Sequence, residues 1–209
     1  MRNIRIDKTV KKYIKRLKMK RTIILIIISL FTQFAAAQSI EYKSISAKYS
    51  GNDSWRDWDV QTSEGSGSMR TTFSGDDGWK KWNVNLPSIS GTIETVFSGD
   101  DAWKYWSFYF NGINGTIRTV FSGDDAWKNW DVTDGKTTLR VTTVFSGEDS
   151  WTDWSISGPD GNIRISTKFS GSGAWRDWSI TDNMPNVSYV LKMAALFPCV
   201  YSGAIRIRR

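Results

Sequence analysis

The feature that most constrains this chain is a phrase repeated six times at a fixed interval. The copies begin at Tyr49, Phe73, Phe97, Phe121, Phe145 and Phe169, and every step between them is 24 residues. In its fullest form the phrase reads aromatic-Ser-Gly-Asp-Asp-Ala-Trp-Lys-x-Trp-x-Val. Self-similarity at one period, without insertion or deletion, is the signature of a repeat architecture. The two tryptophan positions, 55/58, 79/82, 103/106, 127/130, 151/154 and 175/178, account for all twelve tryptophans of the protein.

Each repeat divides into two strands. Before the aromatic, "TIETVF" and "TIRTVF" alternate with period two, which places Ile93, Thr95 and Phe97, or Ile117, Thr119 and Phe121, on one apolar face. Such alternation marks a half-buried strand, and β-branched and aromatic residues favour it. After the turn, Trp82-Asn83-Val84 and its equivalents alternate again. Gly, Asn and Asp in "NGING", "DGK" and "GPDG" supply the return loops. Two tryptophans three apart face opposite ways in a strand but share a face in one helical turn, so the acidic stretch is expected to form a brief helical turn.

The expected fold is therefore all-β: tandem two-stranded repeats in an antiparallel meander, curled or closed into a barrel-like sheet. An open single-layer sheet and a β-solenoid are the alternatives. In a solenoid, equivalent residues stack at about 4.8 Å. Asp76, Asp100 and Asp124 would then form one bare column and Lys80, Lys104 and Lys128 another, and like charges that close repel. A meander separates them by an intervening strand. Closure also removes sheet edges and covers the apolar face; left open, either surface would invite self-association.

The flanks differ from the repeats. From Met19, "MKRTIILIIISLFTQFAAAQ" has the basic start, apolar run and small-residue triplet of a secretory signal. The reading is a basic extension plus signal at 1–37, with translation starting at Met19 and cleavage after Ala37. A six-repeat domain follows at 38–184, then capping or closing strands at 185–209. A secreted, periplasmic or cell-surface location follows. The whole chain carries a formal charge of +7, but residues 1–37 hold ten of its Lys/Arg and one acid, leaving a net of −2 beyond Ala37. The basic balance thus belongs to the targeting segment, and nucleic acid is not expected as a partner.

There is no histidine and a single cysteine, Cys199. That removes His-based triads, His-ligated zinc and thiolate clusters. Six near-equivalent carboxylate pairs supply no distinct acid and base, so an enzyme is not expected. Cys199 reads as a small buried hydrophobe. Three non-catalytic readings stand. In the first, exposed aromatic platforms at Trp79, Trp103, Trp127 and Trp151, helped by Lys80, Lys104 and Lys128, bind an extracellular glycan or a surface protein. Repetition would give such weak sites avidity. In the second, the protein is a passive scaffold and both tryptophan rows are core. In the third, calcium, which takes carboxylate oxygens, sits on Asp76/Asp77, Asp100/Asp101, Asp124/Asp125 and Glu148/Asp149. No other cofactor is expected.

Overall fold

The computed structural model describes residues 40–51 and 53–206. The expected signal segment lies outside them. Twelve strands run in chain order: β1 (Tyr42–Ala47), β2 (Asp57–Thr62), β3 (Gly65–Thr71), β4 (Lys81–Leu86), β5 (Ile89–Thr95), β6 (Tyr105–Phe110), β7 (Ile113–Thr119), β8 (Asn129–Thr133), β9 (Thr138–Thr143), β10 (Asp153–Gly158), β11 (Gly161–Thr167) and β12 (Asp177–Asn183). Each pairs antiparallel with its neighbours in sequence, and β1 pairs with β12. The meander is a closed barrel, as the repeat pattern implies, and neither the open sheet nor the solenoid forms.

The pleat sorts the wall. Inward positions carry Trp82, Val84 and Leu86 on β4, Trp106, Phe108 and Phe110 on β6, and Ile163 and Ile165 on β11, all buried. Outward positions carry Lys81, Asn83 and Asn85 on β4, Thr92 and Glu94 on β5, and Asp131 and Arg140 on β8 and β9. Lys81–Glu94 and Arg140–Asp131 pair across neighbouring strands at 2.7 Å. A membrane-spanning barrel has the reverse pattern, apolar outside and polar within. This wall faces water.

Twelve strands enclose more space than their own side chains fill. The chain supplies the filling. After β12 it forms helix α1 (Tyr189–Tyr201), which is buried from Val190 to Tyr201. Thirteen residues at 1.5 Å rise span about 20 Å, comparable to strands of six. The expected closing strands at 185–209 are thus corrected. "SYVLKM" continues the spacing of the repeats, but β1 has already taken the edge of β12. What remains is a lumen, and a segment apolar on every side but for Lys192 suits a helix buried all round. Cys199 lies in this helix, fully buried, and burial pushes its thiol pKa well up.

One buried ion pair fixes the entry of the helix. Lys192 Nζ lies 3.0 and 3.1 Å from the two carboxylate oxygens of Asp182, and both side chains are buried. The same ammonium donates to the Ile40 carbonyl, and the Met184 amide donates to Asp182. Tyr42 Oη donates to the Tyr189 carbonyl at 2.9 Å. The start of β1, the end of β12 and the start of α1 are thereby tied at the seam where the barrel closes.

Candidate functional site at the loop end of the barrel

Strand alternation divides the connections between two ends. Short hairpins lie at one end. All six copies of the phrase connect an odd strand to the next even one, so all six lie at the other, which we call the loop end. Each contains a short 3-10 turn, such as Asp76–Lys80 and Asp124–Lys128. The glycine before it has a positive φ in every copy, from 90° at Gly75 to 110° at Gly51. At Gly75, Gly123 and Gly147 ψ lies near 180°, a region essentially restricted to glycine. The invariant glycine of the phrase is therefore a backbone requirement.

The turn brings both tryptophans inward, as the helical-turn reading expects. The second of each pair, Trp58, Trp82, Trp106, Trp130, Trp154 and Trp178, is at most 1% exposed. Its indole N–H donates to the carbonyl of the first tryptophan of the same repeat, at 2.6 Å in Trp82 and 2.8 Å in Trp178. The first ring then packs on the second ring of the following repeat. Trp55 meets Trp82, Trp79 meets Trp106, Trp103 meets Trp130, Trp127 meets Trp154 and Trp151 meets Trp178, with centroids 5.9–6.3 Å apart. Trp175 meets Trp58 across the seam at 5.9 Å. Twelve tryptophans thus form a closed ring. Phe197 and Tyr201 of α1 pack into it, on Trp82, Trp106 and Trp79.

The expected platforms are therefore not at the surface. Trp79, Trp103 and Trp151 are buried and Trp127 is half-buried. The physical reason is that the extended strand starts only after the basic residue, so the 3-10 turn directs the first ring toward the core. The lysines pair within their own turns: Lys80 with Asp77, Lys104 with Asp101 and Lys128 with Asp125, at 2.6–2.8 Å. Each ammonium also lies 5.4–5.7 Å from the centre of its neighbouring indole. Arg56 repeats the arrangement with Asp53 and Trp55.

For calcium, the second acid of three turns is thus already paired with a lysine. Asp76, Asp100 and Asp124 stand exposed at the turn starts, as do Glu148 and Asp149 in the fifth turn. Among the described residues no three carboxylates come together as a metal cluster would require.

What the loop end does present is the opening aromatic of each phrase. Tyr49, Phe73, Phe97, Phe121, Phe145 and Phe169 are 58–65% exposed. The alternation that put Phe97 on the apolar face ends one residue too early. The last ladder bond runs from the Val96 amide to the Tyr105 carbonyl, with equivalents at Thr72, Val120, Val144 and Lys168, and the chain then leaves the sheet. Phe97 stacks on outward-facing Tyr105 at 5.5 Å, so it lies on the outer rim. Neighbouring copies are separated by two strands, roughly 10 Å.

A cleft of about 860 Å³ opens between the fifth and sixth turns, lined by Asp149, Thr152, Phe169, Gly173 and Arg176 among others, with Gly203 beyond the helix at its edge. Compared with family models, with curated proteins and with solved structures, the chain matches none.

Proposed function

We propose that the protein is a non-catalytic recognition module, secreted or held at a cell surface, that binds an extracellular glycan through the loop end of its barrel. One observation carries this reading: all six repeats leave a large aromatic side chain about 60% exposed at the same place. Single exposed hydrophobes need no explanation, but a repeated set at one end of the molecule does. None of the six belongs to the buried core. The aromatic faces suit the C–H faces of sugar rings, and the Ser, Asp and Lys beside them offer partners for hydroxyls. Six weak contacts on one rim gain strength together when a ligand spans several.

A glycan array probed with the protein and with a variant carrying F73S, F97S, F121S and F145S tests the proposal. Binding by the parent, lost in a variant of unchanged thermal stability, is the expected result. The scaffold reading draws on a different observation, the consumption of most of the phrase in the tryptophan ring. Absence of any glycan binding at high protein density would favour it.

A further inference from the structure

The sixfold pattern at the loop end breaks at one place, and two charges lose their partners there. In the second, third and fourth turns, the fifth residue of the phrase is an aspartate that pairs with the lysine three positions on. The first turn does the same with Asp53 and Arg56. In the fifth turn Asp149 remains, but Thr152 stands where the cation would be. In the sixth, Arg176 remains, but Gly173 stands where the aspartate would be. Among the described residues neither Asp149 nor Arg176 makes a side-chain ion pair. Both line the same cleft.

Backbone geometry does not demand glycine at 173. Gly173 has φ −96° and ψ −3°, while Asp101 and Asp53 at the equivalent position have −90°/3° and −93°/6°. A Cβ there would meet nothing nearer than the Arg176 guanidinium at 3.9 Å. The missing carboxylate therefore leaves open space in front of a cation. The Nε of Arg176 is buried without a hydrogen-bond partner, and its guanidinium lies 5.1 Å from the centre of Trp175. The other departure, Thr152, lines the same cleft. Arg56 reaches from the first turn to the Gly75 carbonyl of the second at 3.0 Å. Thr152 is too short to make such a bridge, and its hydroxyl bonds back to the Asp149 carbonyl.

We propose that this cleft binds an acidic sugar, a hexuronate or a similarly carboxylated saccharide, whose carboxylate takes the place of the aspartate absent at 173. A planar guanidinium with a free edge suits a carboxylate. Asp149 and the hydroxyls of Thr152 and Ser170 accept and donate to the sugar hydroxyls, and Phe169 covers one apolar face. The volume is within the range of small-molecule sites, about 300–1,000 Å³. The inference rests on the glycan reading and names the sugar and its seat.

The test is calorimetric titration with matched oligomers of glucuronate and of glucose, using the parent protein, G173D and R176Q. G173D restores the repeat's own aspartate, which fills the carboxylate seat from within. The glucuronate oligomer should bind the parent more tightly than the glucose oligomer, by about tenfold or more. Both variants should lose that preference, and G173D should do so with undiminished thermal stability, which separates loss of the site from loss of the fold. Equal binding of the two oligomers, or an undiminished glucuronate preference in G173D, would overturn the acidic-sugar site while leaving rim recognition standing. Failure of the parent to bind either oligomer or any arrayed glycan would overturn both.

Discussion

Trp175 and Trp58 pack edge to face with their centroids 5.9 Å apart, although 117 positions separate them in the chain. The same contact joins Trp79 to Trp106 and Trp103 to Trp130, which are near in sequence. The seam therefore repeats the interior of the wall, and the repeat has no privileged beginning. Replacing Trp58 or Trp175 by alanine should cost about 3–5 kcal/mol, the range for a buried large aromatic. Trp79 and Trp106 should cost the same, because both rows are core. Urea unfolding of the four variants compares seam with interior. A sheet left open in solution would make the seam pair distinctly cheaper.

Gly123 isolates a conformational requirement from a packing one. A Cβ at this position meets nothing within 4 Å, yet φ is 93°. Gly123→Ala should destabilise by about 1–3 kcal/mol through backbone strain alone. Asp125→Ala in the same turn removes a largely exposed carboxylate paired with Lys128. It should cost about 1 kcal/mol or less. Thermal unfolding of the two variants should keep that order.

The Lys192–Asp182 pair behaves differently because it is buried. Removing one partner leaves an uncompensated charge inside the barrel, so Lys192→Met should cost about 3–5 kcal/mol. Lys192→Met combined with Asp182→Leu should recover much of that loss. A double-mutant cycle by chemical unfolding measures it, and additive losses would mean that the pair is solvated.

Alkaline pH should weaken the fold from within. Burial raises the pKa of the Cys199 thiol, and burial followed by the charge of Asp182 raises that of the Tyr42 phenol. A raised acid holds its proton longer in the folded state, so the unfolded chain ionises first. The stabilisation is complete below the unfolded pKa values and falls as pH climbs above about 9 for the thiol and 10 for the phenol. Cys199→Ala should flatten the first part of that decline in a melting series from pH 7 to 11.

The sequence made the barrel legible through Ile93, Trp82 and Val84. Their alternation defines the inner wall, and the exact period excludes a privileged copy. It was less informative at the edges of elements. Phe97 follows the period of β5 but lies past its last ladder bond, and periodicity alone carries no mark of where pairing stops. Leu191 and Phe197 fall in the segment expected as capping or closing strands, because a repeat pattern favours its own continuation. That they fill a lumen depends on the barrel's circumference, which no local pattern expresses. The Asp182–Lys192 pair had no motif at all, only a separation of ten residues that the entry to α1 brings together. The departures at Thr152 and Gly173 were visible as letters. Their meaning needed the 3-10 turn, which sets aspartate and lysine three apart as partners.

All twelve tryptophans belong to the ring, so tryptophan fluorescence reports on it without background. The repeated phrase closes a buried tryptophan ring around α1. Acrylamide quenching of the native protein, with the urea-unfolded chain as reference, measures how far that ring is shielded. Blue-shifted emission, shielded from quencher except for a minor fraction from Trp55 and Trp127, is expected. Red-shifted emission with half of the signal open to quencher would contradict it, because a whole row of tryptophans would then stand at the surface.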